Sequence, residues 1–512
     1  MKVNLNKRIW IPALAVILAV SSVVAIVIVT RSGDSADGTA PPGQAGQSLS
    51  IMLPLHQSTA PPGSLIQEIQ ARTGYALDIK WIPDEVYSNR MMNNLESKEN
   101  SQAIFVKPTD LTAIKNAIRS DMFWNIGPYL DHYPNLRTLE QTSARLMTLE
   151  GKIYGLFNER PESRQGVIIR KDWLNNLGLT EPKTLDELYK VLKAFTEQDP
   201  DGNGKPDTVG LTDRNDLYYG AFKTLSSYFG TPNGWSLSGG KLTPEFATPE
   251  YLNTMNYMKK LYQEQLVNTD FPVTSKSVQR YRLITGKAGV YIGSLADAPR
   301  LLEETRQVNP TADFTVINRI QGPKGYGIWS VSGNGGMFFF SKKNLKNEQQ
   351  LRDALDFFDR TMEPEISNLL YYGIENTHYV LKDGLVTYKD SAMYARSNAE
   401  VLPLNSLLVS TVNNPNLYKR DPVSIDPLLA EANTLIEDNA TMLIENPTVG
   451  LSSNTYDARN VELDFIINNA TYNFILGKID ENGFRQEIDS WMQKGGSDVI
   501  QELEDALRTS RP

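Results

Sequence analysis

A short acidic loop carries residues of the types and spacing that bind a hard cation. Numbered from Asp199, it has oxygen-bearing side chains at positions 1, 3, 5 and 9, a backbone carbonyl at position 7 and glycine at position 6. This is the front of a calcium loop, because Ca²⁺ requires several hard oxygen ligands that converge at about 2.3–2.6 Å. Position 12 is Gly210 instead of a bidentate glutamate, so the loop is not a complete EF-hand. We expect a structural calcium ion here; a metal-free turn held by Asp, Asn and Gly is the alternative. The expected ligands are Asp199, Asp201, Asn203, the carbonyl of Lys205, and Asp207.

No motif for catalysis accompanies this loop. The three histidines, His56, His132 and His378, are widely spaced and form no HExxH pattern, and the sequence has neither a Walker loop nor a Gly-rich dinucleotide turn. The absence of cysteine excludes thiol catalysis, disulfides, zinc-thiolate sites and iron–sulfur clusters. An enzyme therefore has no supporting motif in this sequence. A glycoside-active enzyme is an open alternative, since a glycosidase carboxylate pair is defined by its separation in space.

Length and charge narrow the class of protein. A chain of 512 residues exceeds what one hydrophobic core usually organises, so two or more domains are expected. The formal net charge of −9 argues against nucleic acid as a partner. With 40% hydrophobic and 22% charged residues, the composition is that of a globular protein.

Strands and helices alternate along the chain. Leu49–Leu55, Ala76–Ile82 and Ala103–Val106 have the pattern of strands, and the segments between them have helical spacing. This order predicts a mostly parallel sheet with helices on both faces, in which ligands bind at the carboxyl ends of the strands. A second unit begins with a strand at Gly166–Arg170 and continues to a capping box that starts at Thr184. Further strands are predicted at Ala288–Ile292, Phe314–Ile320 and Met337–Phe340, and helices at Ser64–Thr73, Asp84–Lys98, Asp110–Arg119 with Asp110 as N-cap, Lys171–Leu177, Gln349–Met362 and most of the chain from Asp426 onward.

The N-terminus determines the expected compartment. Ile9–Thr30 contains no charged residue, and as a helix it would span about 33 Å, enough to cross the hydrocarbon core of a membrane. Three basic residues precede it, so the positive-inside rule leaves the N-terminus in the cytoplasm and the rest of the chain outside. We expect residues 1–31 to form an uncleaved, single-pass signal-anchor in the cell membrane; a cleaved secretory signal is the alternative. Residues 32–48 would form a flexible linker rich in Gly, Ser, Pro and Ala.

Several short motifs follow one another along residues 49–512. They are Asp121–Leu136, Gly151–Leu156, Ile169–Leu174 with Leu177-Gly178-Leu179, Thr184–Glu187, the acidic loop, Tyr372–Tyr379, Phe474–Gly477 and Trp491–Gly496. In this order they resemble the extracellular solute-binding proteins of ABC sugar importers, in the large lipoprotein-type branch of Paenibacillus-like Firmicutes. Members of this branch usually carry a lipidated cysteine after the signal, and this chain has none. The predicted transmembrane helix is then the expected means of attachment.

The resemblance implies a two-lobed α/β fold of the periplasmic-binding-protein kind, with a hinge and a helix-rich C-terminal part, preceded here by one transmembrane helix. Chain crossings between the lobes are expected near Tyr154–Arg160, Gly286–Gly293 and Phe340–Gln350. The expected boundaries are residues 49–155 plus 288–345 for one lobe and residues 156–287 plus 346–512 for the other.

Sugars present apolar C–H faces and rings of hydroxyls, so their sites combine flat aromatic side chains with convergent Asp, Asn, Arg and Glu groups. Four tryptophans lie near predicted strand ends or in loops rich in Gly, Ser and Asn, and for each of them a place in the core is an equal alternative. Asn158, Glu159 and Arg160 lie at the first expected crossing, and the resemblance adds the segment that contains His378. The expected ligand-binding residues are Trp235, Trp124, Trp329, Trp81, Tyr154, Asn158, Glu159, Arg160, His378 and Tyr379.

The function implied by the resemblance is reversible capture of a carbohydrate, expected to be an oligosaccharide, and its delivery to the transmembrane subunits of an ABC permease. Hinge closure on the ligand would be the mechanism, without bond chemistry, so the resemblance implies a protein that is not an enzyme. A monomer is expected. A membrane-tethered sensor that reports ligand occupancy to a signalling kinase is the alternative binding function.

Overall fold

The computed structural model describes residues 47–57, 59–95, 97, 101–139, 148–149, 152–331, 333–410, 414–421 and 426–510. The predicted membrane helix and nearly all of the predicted linker lie outside these residues. None of the described helices is both long and apolar enough to cross a membrane.

Two larger sheets and several short ribbons make up the strand content of the described residues. In chain order the strands are β1 (Ser48–Leu55), β2 (Ala76–Pro83), β3 (Ala103–Val106), β4 (Thr148–Leu149), β5 (Lys152–Ile153), β6 (Gly155–Glu159), β7 (Gln165–Arg170), β8 (Val209–Thr212), β9 (Trp235–Ser238), β10 (Lys241–Pro244), β11 (Ala288–Ser294), β12 (Phe314–Ile317), β13 (Ile328–Trp329), β14 (Asn334–Phe340), β15 (Val380–Lys382), β16 (Leu385–Thr387), β17 (Lys419–Arg420) and β18 (Leu443–Ile444).

The first sheet has five strands in the order β2-β1-β3-β14-β6. Strand β1 is parallel to β2 and β3, whereas β14 is antiparallel to both β3 and β6. One edge of this sheet therefore collects the carboxyl ends of β1, β2, β3 and β6 and the amino end of β14. The opposite edge collects the carboxyl end of β14 and the amino end of β6, because Phe339 pairs with Gly155.

The second sheet has four strands in the order β12-β7-β11-β8. Strand β7 is antiparallel to both β11 and β12, and β11 is parallel to β8. The amino end of β7 thus lies at the same edge as the carboxyl ends of β8, β11 and β12. Every residue of β7 is buried, as expected for a central strand with both faces covered.

Helices pack against both sheets. In chain order they are α1 (Gly63–Thr73), α2 (Asp84–Asn94), α3 (Leu111–Arg119), α4 (Gly127–Leu130), α5 (Lys171–Asn176), α6 (Leu185–Glu197), α7 (Ala221–Phe229), α8 (Pro249–Gln263), α9 (Lys276–Ile284), α10 (Ala298–Val308), α11 (Glu348–Arg360), α12 (Pro364–Tyr372), α13 (Ser391–Glu400), α14 (Pro427–Asn439), α15 (Asn454–Ile475), α16 (Glu481–Trp491) and α17 (Ser497–Ser510), with short 3₁₀ turns at Pro108–Asp110, Glu245–Ala247, Phe271–Val273, Leu295–Asp297 and Leu402–Leu407 and a π turn at Met492–Gly496.

Each sheet has its own hydrophobic core. The core at the first sheet contains residues from β1, β3, β6 and β14 together with residues of α11 and α12. The core at the second sheet contains residues from β7, β8 and β11 together with α6, α7, α8 and α15. We call residues 48–159 and 334–409 lobe 1, and residues 165–331 and 426–510 lobe 2.

Three stretches of chain lie in the lobe opposite to the predicted one: residues 156–159 and 346–409 belong to lobe 1, and residues 288–331 belong to lobe 2. Strand β11, predicted to leave for the lobe that contains residues 49–155, pairs with β7 and β8 in the second sheet instead. Helix α11, predicted in the other lobe, packs in the core of the first sheet, where Phe358 lies with its ring 4.6 Å from that of Phe338. The local sequence of an apolar strand or helix does not determine which of two hydrophobic cores it packs in. The lobe of these segments therefore could not be predicted from their sequence alone.

The observed crossings differ from the predicted ones: none occurs at Gly286–Gly293, since β11 stays in the second sheet, and one precedes β14, earlier than the predicted Phe340–Gln350. The first crossing follows β6 and occupies residues 160–164, and a second precedes β14. These two segments run side by side, since Arg160 N donates to the Gly333 carbonyl at 2.9 Å and Val331 N donates to the Glu162 carbonyl at 2.8 Å. Two hydrogen-bonded crossings are a suitable hinge, because bending there disturbs neither core.

The two helix N-caps that were predicted from the sequence can be compared with the structure. Thr184 caps α6 as predicted, with its Oγ1 accepting from Glu187 N at 3.1 Å. Asp110 is an exception: it makes no cap hydrogen bond, and its Oδ2 accepts from Ser88 Oγ at 2.8 Å. The turn at Pro108–Asp110 already supplies helical backbone before α3, so α3 needs no capping side chain there.

Candidate ligand-binding cleft

The carboxyl ends of β1, β2 and β3 bring three polar side chains to one edge of lobe 1. His56 follows β1, Asp84 follows β2 and Lys107 follows β3. Asp84 Oδ1 lies 3.4 Å from His56 Nδ1 and forms an ion pair with Lys107. Burial alone would raise the pKa of Asp84, but hydrogen bonds and charge attraction from His56 and Lys107 outweigh it and hold that pKa well below its usual range.

The same edge continues at the end of β6 with three of the predicted residues. Asn158 Nδ2 donates to the Leu408 carbonyl, and Glu159 Oε2 accepts from Ser410 Oγ at 3.3 Å. Arg160 Nε donates to Asn158 Oδ1 at 3.3 Å. The structure therefore brings Asn158, Glu159 and Arg160 together with His56, Asp84 and Lys107 at one edge of the first sheet.

The facing edge of lobe 2 lies across the short crossing, since residues 160–164 alone separate β6 from β7. Arg164 precedes β7, and the segment after β8 supplies Asp213, Asp216, Tyr218 and Tyr219. Asp213 is buried, and its Oδ1 accepts from Ala221 N at 3.0 Å, at the start of α7. Burial raises the pKa of Asp213 to about 6, against the opposing effect of hydrogen bonds from Ala221 and Arg214.

An aromatic cluster lies at this edge of lobe 2. Trp329 is 1% exposed and its Nε1 donates to Thr224 Oγ1 at 3.1 Å. The ring of Tyr218 lies 4.8 Å from that of Trp329, and the ring of Tyr219 lies 5.8 Å from it. Tyr218 is 42% exposed. Trp329 thus supports a tyrosine that presents its ring to solvent, which is the kind of surface on which a sugar ring packs.

Tyr218, Tyr219 and Arg164 were not among the predicted residues. The rule that ligands gather at the carboxyl ends of strands points to the two tyrosines only once β8 is known, because they lie six and seven residues after that strand and no strand was predicted there. Arg164 precedes a strand, so finding it required knowing that β7 runs antiparallel to β11.

Other predicted aromatic residues lie elsewhere in the fold. Trp124 is at the opposite edge of the first sheet, where its backbone N donates to the Phe340 carbonyl and its Nε1 to the Leu345 carbonyl, each at 2.9 Å. Tyr154 directly precedes β6 and so lies at that same opposite edge, where it is buried. The structure does not bring either residue to the cleft.

Two further tryptophans are partly buried. Trp235 begins β9 and packs against Trp491 of α16, with ring centroids 6.5 Å apart, in a cluster formed with the C-terminal helices. Trp81 lies in β2, two residues before its end, and packs against the core of the first sheet. Trp81 therefore lies near the edge of the first sheet that borders the cleft. Trp235 packs against the C-terminal helices instead.

His378 and Tyr379 order a turn in lobe 1. His378 is 2% exposed, and its Nδ1 accepts from Ile374 N at 3.0 Å while its Nε2 lies 3.1 Å from Glu400 Oε2. Tyr379 is buried against Tyr372. Both ring nitrogens of His378 have protein partners, so the contacts of this histidine are those of a structural residue.

The acidic loop folds so that its side chains converge. Asn203 Nδ2 donates to Asp201 Oδ2 at 2.8 Å and to Asp207 Oδ1 at 3.2 Å, and Asp199 accepts from the backbone N–H groups of Asn203 and Gly204. Lys287 Nζ lies 2.6 Å from Asp207 Oδ2. In the described part of the chain, no group of three or more His, Asp or Glu side chains is arranged to hold a metal ion.

The fold and this cleft define a two-lobed binding protein, with polar and aromatic side chains on two facing sheet edges joined by a hinge. Residues 57–359 match the model of the family described as bacterial extracellular solute-binding protein. The chain belongs to this family.

Curated relatives and solved structures agree with this assignment. The chain is 42% identical over 478 residues to YtcQ of Bacillus subtilis strain 168, named a polygalacturonan/rhamnogalacturonan-binding protein, with 93% of this chain and 94% of YtcQ covered. It is 30% identical to lipoprotein LipO of the same organism, with 100% of both chains covered.

The structure is also similar to that of FusA, an ABC-transporter substrate-binding protein of Streptococcus pneumoniae, solved in complex with kestose. The TM-score is 0.67 at 17% identity, with 90% of this chain and 99% of FusA covered. An EF-hand mutant of FusA in complex with fructo-nystose matches with the same TM-score of 0.67, the same 17% identity and the same coverage, 90% of this chain and 99% of that one. At this identity the likeness shows the fold alone.

Proposed function

We propose that the protein captures an oligosaccharide in the cleft between its lobes and delivers it to an ABC permease. The observation that carries this proposal is the exposed Tyr218, supported by Trp329, on the sheet edge that faces Asn158, Glu159 and Arg160 across the hinge. An aromatic face beside convergent polar groups suits a sugar chain. Closure of the hinge on the ligand would present the closed form to the permease.

The first ligands to test are fragments of pectic polysaccharides, because the relative YtcQ is named for binding polygalacturonan and rhamnogalacturonan. Calorimetric titration of the full chain, in detergent micelles, with oligogalacturonides and with neutral oligosaccharides tests the proposal directly. Saturable binding with a stoichiometry of one supports it. Absence of binding to every oligosaccharide, or release of a cleaved product during the titration, would contradict it.

We also propose that the acidic loop binds a structural calcium ion through the side chains of Asp199, Asp201, Asn203 and Asp207 and the carbonyl of Lys205. The donor set is hard oxygen throughout, as Ca²⁺ requires. Burial and the neighbouring carboxyl groups of Asp199 and Asp207 raise the pKa of Asp201, which indicates negative charge that a cation would neutralise. A side chain at position 210 could add no ligand, because a Cβ there would lie 2.4 Å from the Leu192 carbonyl oxygen.

Finally, we propose that Ile9–Thr30 anchors the protein at the outer face of the membrane. The relative LipO is named a lipoprotein, whereas this chain has no cysteine to carry a lipid. The intact mass of protein extracted from membranes tests the proposal: retention of residues 1–31 supports an anchor, and their loss establishes cleavage.

A further inference from the structure

Among the described residues, two arginines at the hinge have no acidic partner. Arg160 follows β6 and Arg164 precedes β7, so they lie at the two ends of the first crossing. Within the described residues, neither guanidinium forms an ion pair, and the one side-chain hydrogen bond of Arg160 goes to the neutral amide of Asn158. This contrasts with Arg170 and Arg214, which pair with Asp172 and Asp216. We call Arg160 and Arg164 the arginine pair.

The positive charges of the arginine pair act on each other. Burial and then the positive charge of Arg164 lower the pKa of Arg160 to about 10. Both arginines also act on Tyr219: burial and Asp216 raise the pKa of this tyrosine, and the charges of Arg164 and Arg160 oppose that rise. Arg160 and Arg164 lie four residues apart on one crossing, and Tyr219 lies in the segment after β8, at the edge of the second sheet where this crossing ends.

The described carboxylates near this region are engaged with other groups or exposed. Glu159 accepts a hydrogen bond from Ser410, and Asp84 is held by His56 and Lys107, although its charge still reaches Arg160. Glu162, in the crossing itself, is exposed, and partial desolvation and the charge of Glu445 raise its pKa. Each of these acids has another partner or faces solvent.

The backbone of β14 makes room for Arg160. A Cβ on Gly335 would lie 2.7 Å from Arg160 Cδ and 2.6 Å from Asn158 Oδ1. The side chain of Arg160 thus rests on a glycine backbone, with its Nε fixed by Asn158. This arrangement leaves the outer nitrogens of the guanidinium fork available to a ligand, because the fork carries five N–H donors and no acceptor.

Desolvated charges in proteins are normally paired, since an unpaired one loses hydration without compensation. A planar guanidinium suits a carboxylate, to which it donates two parallel hydrogen bonds. We propose that the arginine pair binds a carboxylate group of the sugar chain, and so selects an acidic oligosaccharide that contains uronate residues over its neutral counterpart. This inference rests on the proposed function, because it concerns the same cleft.

The test compares one sugar chain with and without its charge. The full-length protein in detergent micelles is titrated calorimetrically with trigalacturonate and with its fully methyl-esterified form, for the wild type, Arg160→Gln and Arg164→Gln. We expect each substitution to weaken binding of the acid by about ten- to a hundredfold and to change binding of the ester by less than about threefold. Arg485→Gln is the matched control, since Arg485 is an exposed arginine on α16 whose partner is Glu481.

A ligand-free measurement checks folding. Because glutamine removes one of two like charges that have no acidic partner among the described residues, the melting temperature of either variant should not fall below that of the wild type. Arg160→Lys keeps the charge but cannot form the two-pronged contact, so it should still weaken binding of the acid by several-fold.

The outcomes separate this inference from the proposed function. If Arg160→Gln, Arg164→Gln and Arg160→Lys all retain the affinity of the wild type for the acid, or if the wild type binds acid and ester equally, the carboxylate site is refuted while sugar binding stands. If the wild type binds neither form nor any neutral oligosaccharide, the proposed function fails and the inference fails with it.

Discussion

Asp457 of lobe 2 and Arg119 of lobe 1 form an ion pair across the two lobes, with Asp457 Oδ2 at 2.8 Å from Arg119 Nη2. Lys115, one turn earlier on α3, donates to the other carboxylate oxygen at 3.1 Å. The carboxylate is 1% exposed. Helix α3 belongs to the core of the first sheet and α15 to that of the second, so this cluster links elements that hinge motion would separate.

We predict that Asp457→Asn favours an open arrangement of the lobes. The substitution keeps the shape of the side chain but removes the charge that holds Lys115 and Arg119, at a cost of about 1–3 kcal/mol to the interlobe contact. Small-angle scattering without ligand should show a larger radius of gyration than for the wild type. Ligand affinity should fall by up to about tenfold, since a smaller fraction of molecules is preorganised.

Glu462→Gln is the control for this prediction. Glu462 lies on the same helix and pairs with Arg459 and Lys494, both of lobe 2. It should change neither the radius of gyration nor the affinity. Equal radii for the wild type and Asp457→Asn would show that the ion pair does not govern opening.

Tyr218 should matter to ligand binding more than any predicted tryptophan outside the cleft. Tyr218→Ala removes the exposed ring and should weaken oligosaccharide binding by about three- to tenfold, whereas Tyr218→Phe keeps the ring and should retain most of the affinity. Trp124→Ala should lower the melting temperature and leave affinity unchanged, because Trp124 lies at the opposite edge of the first sheet. Calorimetric titration checks all three, and a loss of affinity confined to Trp124→Ala would contradict the assignment of the cleft.

Asp213 should make the protein less stable as the pH rises. Its pKa of about 6 in the folded state exceeds the ordinary value of 3.8, so ionisation opposes folding. The contribution to stability is therefore fully present below about pH 4 and is lost as the pH rises through 6, by up to about 3 kcal/mol. Asp213→Asn keeps an oxygen that can accept from Ala221 N but cannot ionise.

Urea denaturation at pH 4.5 and at pH 7.5 measures this effect. The wild type should lose more unfolding free energy than Asp213→Asn between the two pH values, and the difference isolates Asp213 from all other titrating groups. Parallel pH dependence in the two proteins would show that Asp213 has an ordinary pKa.

Lys287 should weaken calcium binding by the acidic loop. Its ammonium group bonds to Asp207, an expected calcium ligand, and this contact lowers the pKa of Asp207. Lys287→Met should therefore increase calcium affinity, measured as the calcium concentration that gives half of the maximal rise in melting temperature. Lys241→Met, which removes a lysine whose partner is Glu504, should leave that concentration unchanged. No calcium effect on melting in any of these proteins would refute the metal site.

The sequence predicted the elements whose signals are local. Thr184 and Glu187 lie three residues apart, and their types alone define the start of α6. Strand β7 likewise lies within one residue of its predicted bounds, because its run of apolar residues is short and continuous. The family and the two-lobed α/β fold followed from the order of such motifs.

What the sequence left open depends on contacts between distant segments. Strand β11 has the same apolar pattern whether it pairs with β3 or with β7, so its sheet was not encoded locally. The positions of the tryptophans were equally hard to predict, because Trp124 and Trp329 both lie in or near loops. Only the strand directions show that Trp124 is far from the cleft and that Trp329 lies at it.

The position of β14 between β3 and β6 has a consequence for export of the chain. During translation, β3 and β6 emerge long before the strand that must separate them, so the apolar segment Ala103–Val106 leaves the ribosome with one side unpaired. An unpaired apolar strand edge is a template for aggregation or for premature pairing with the wrong strand. Lobe 1 can therefore complete its folding only after residues 334–409 have emerged, and the nascent chain should depend on holding chaperones until then.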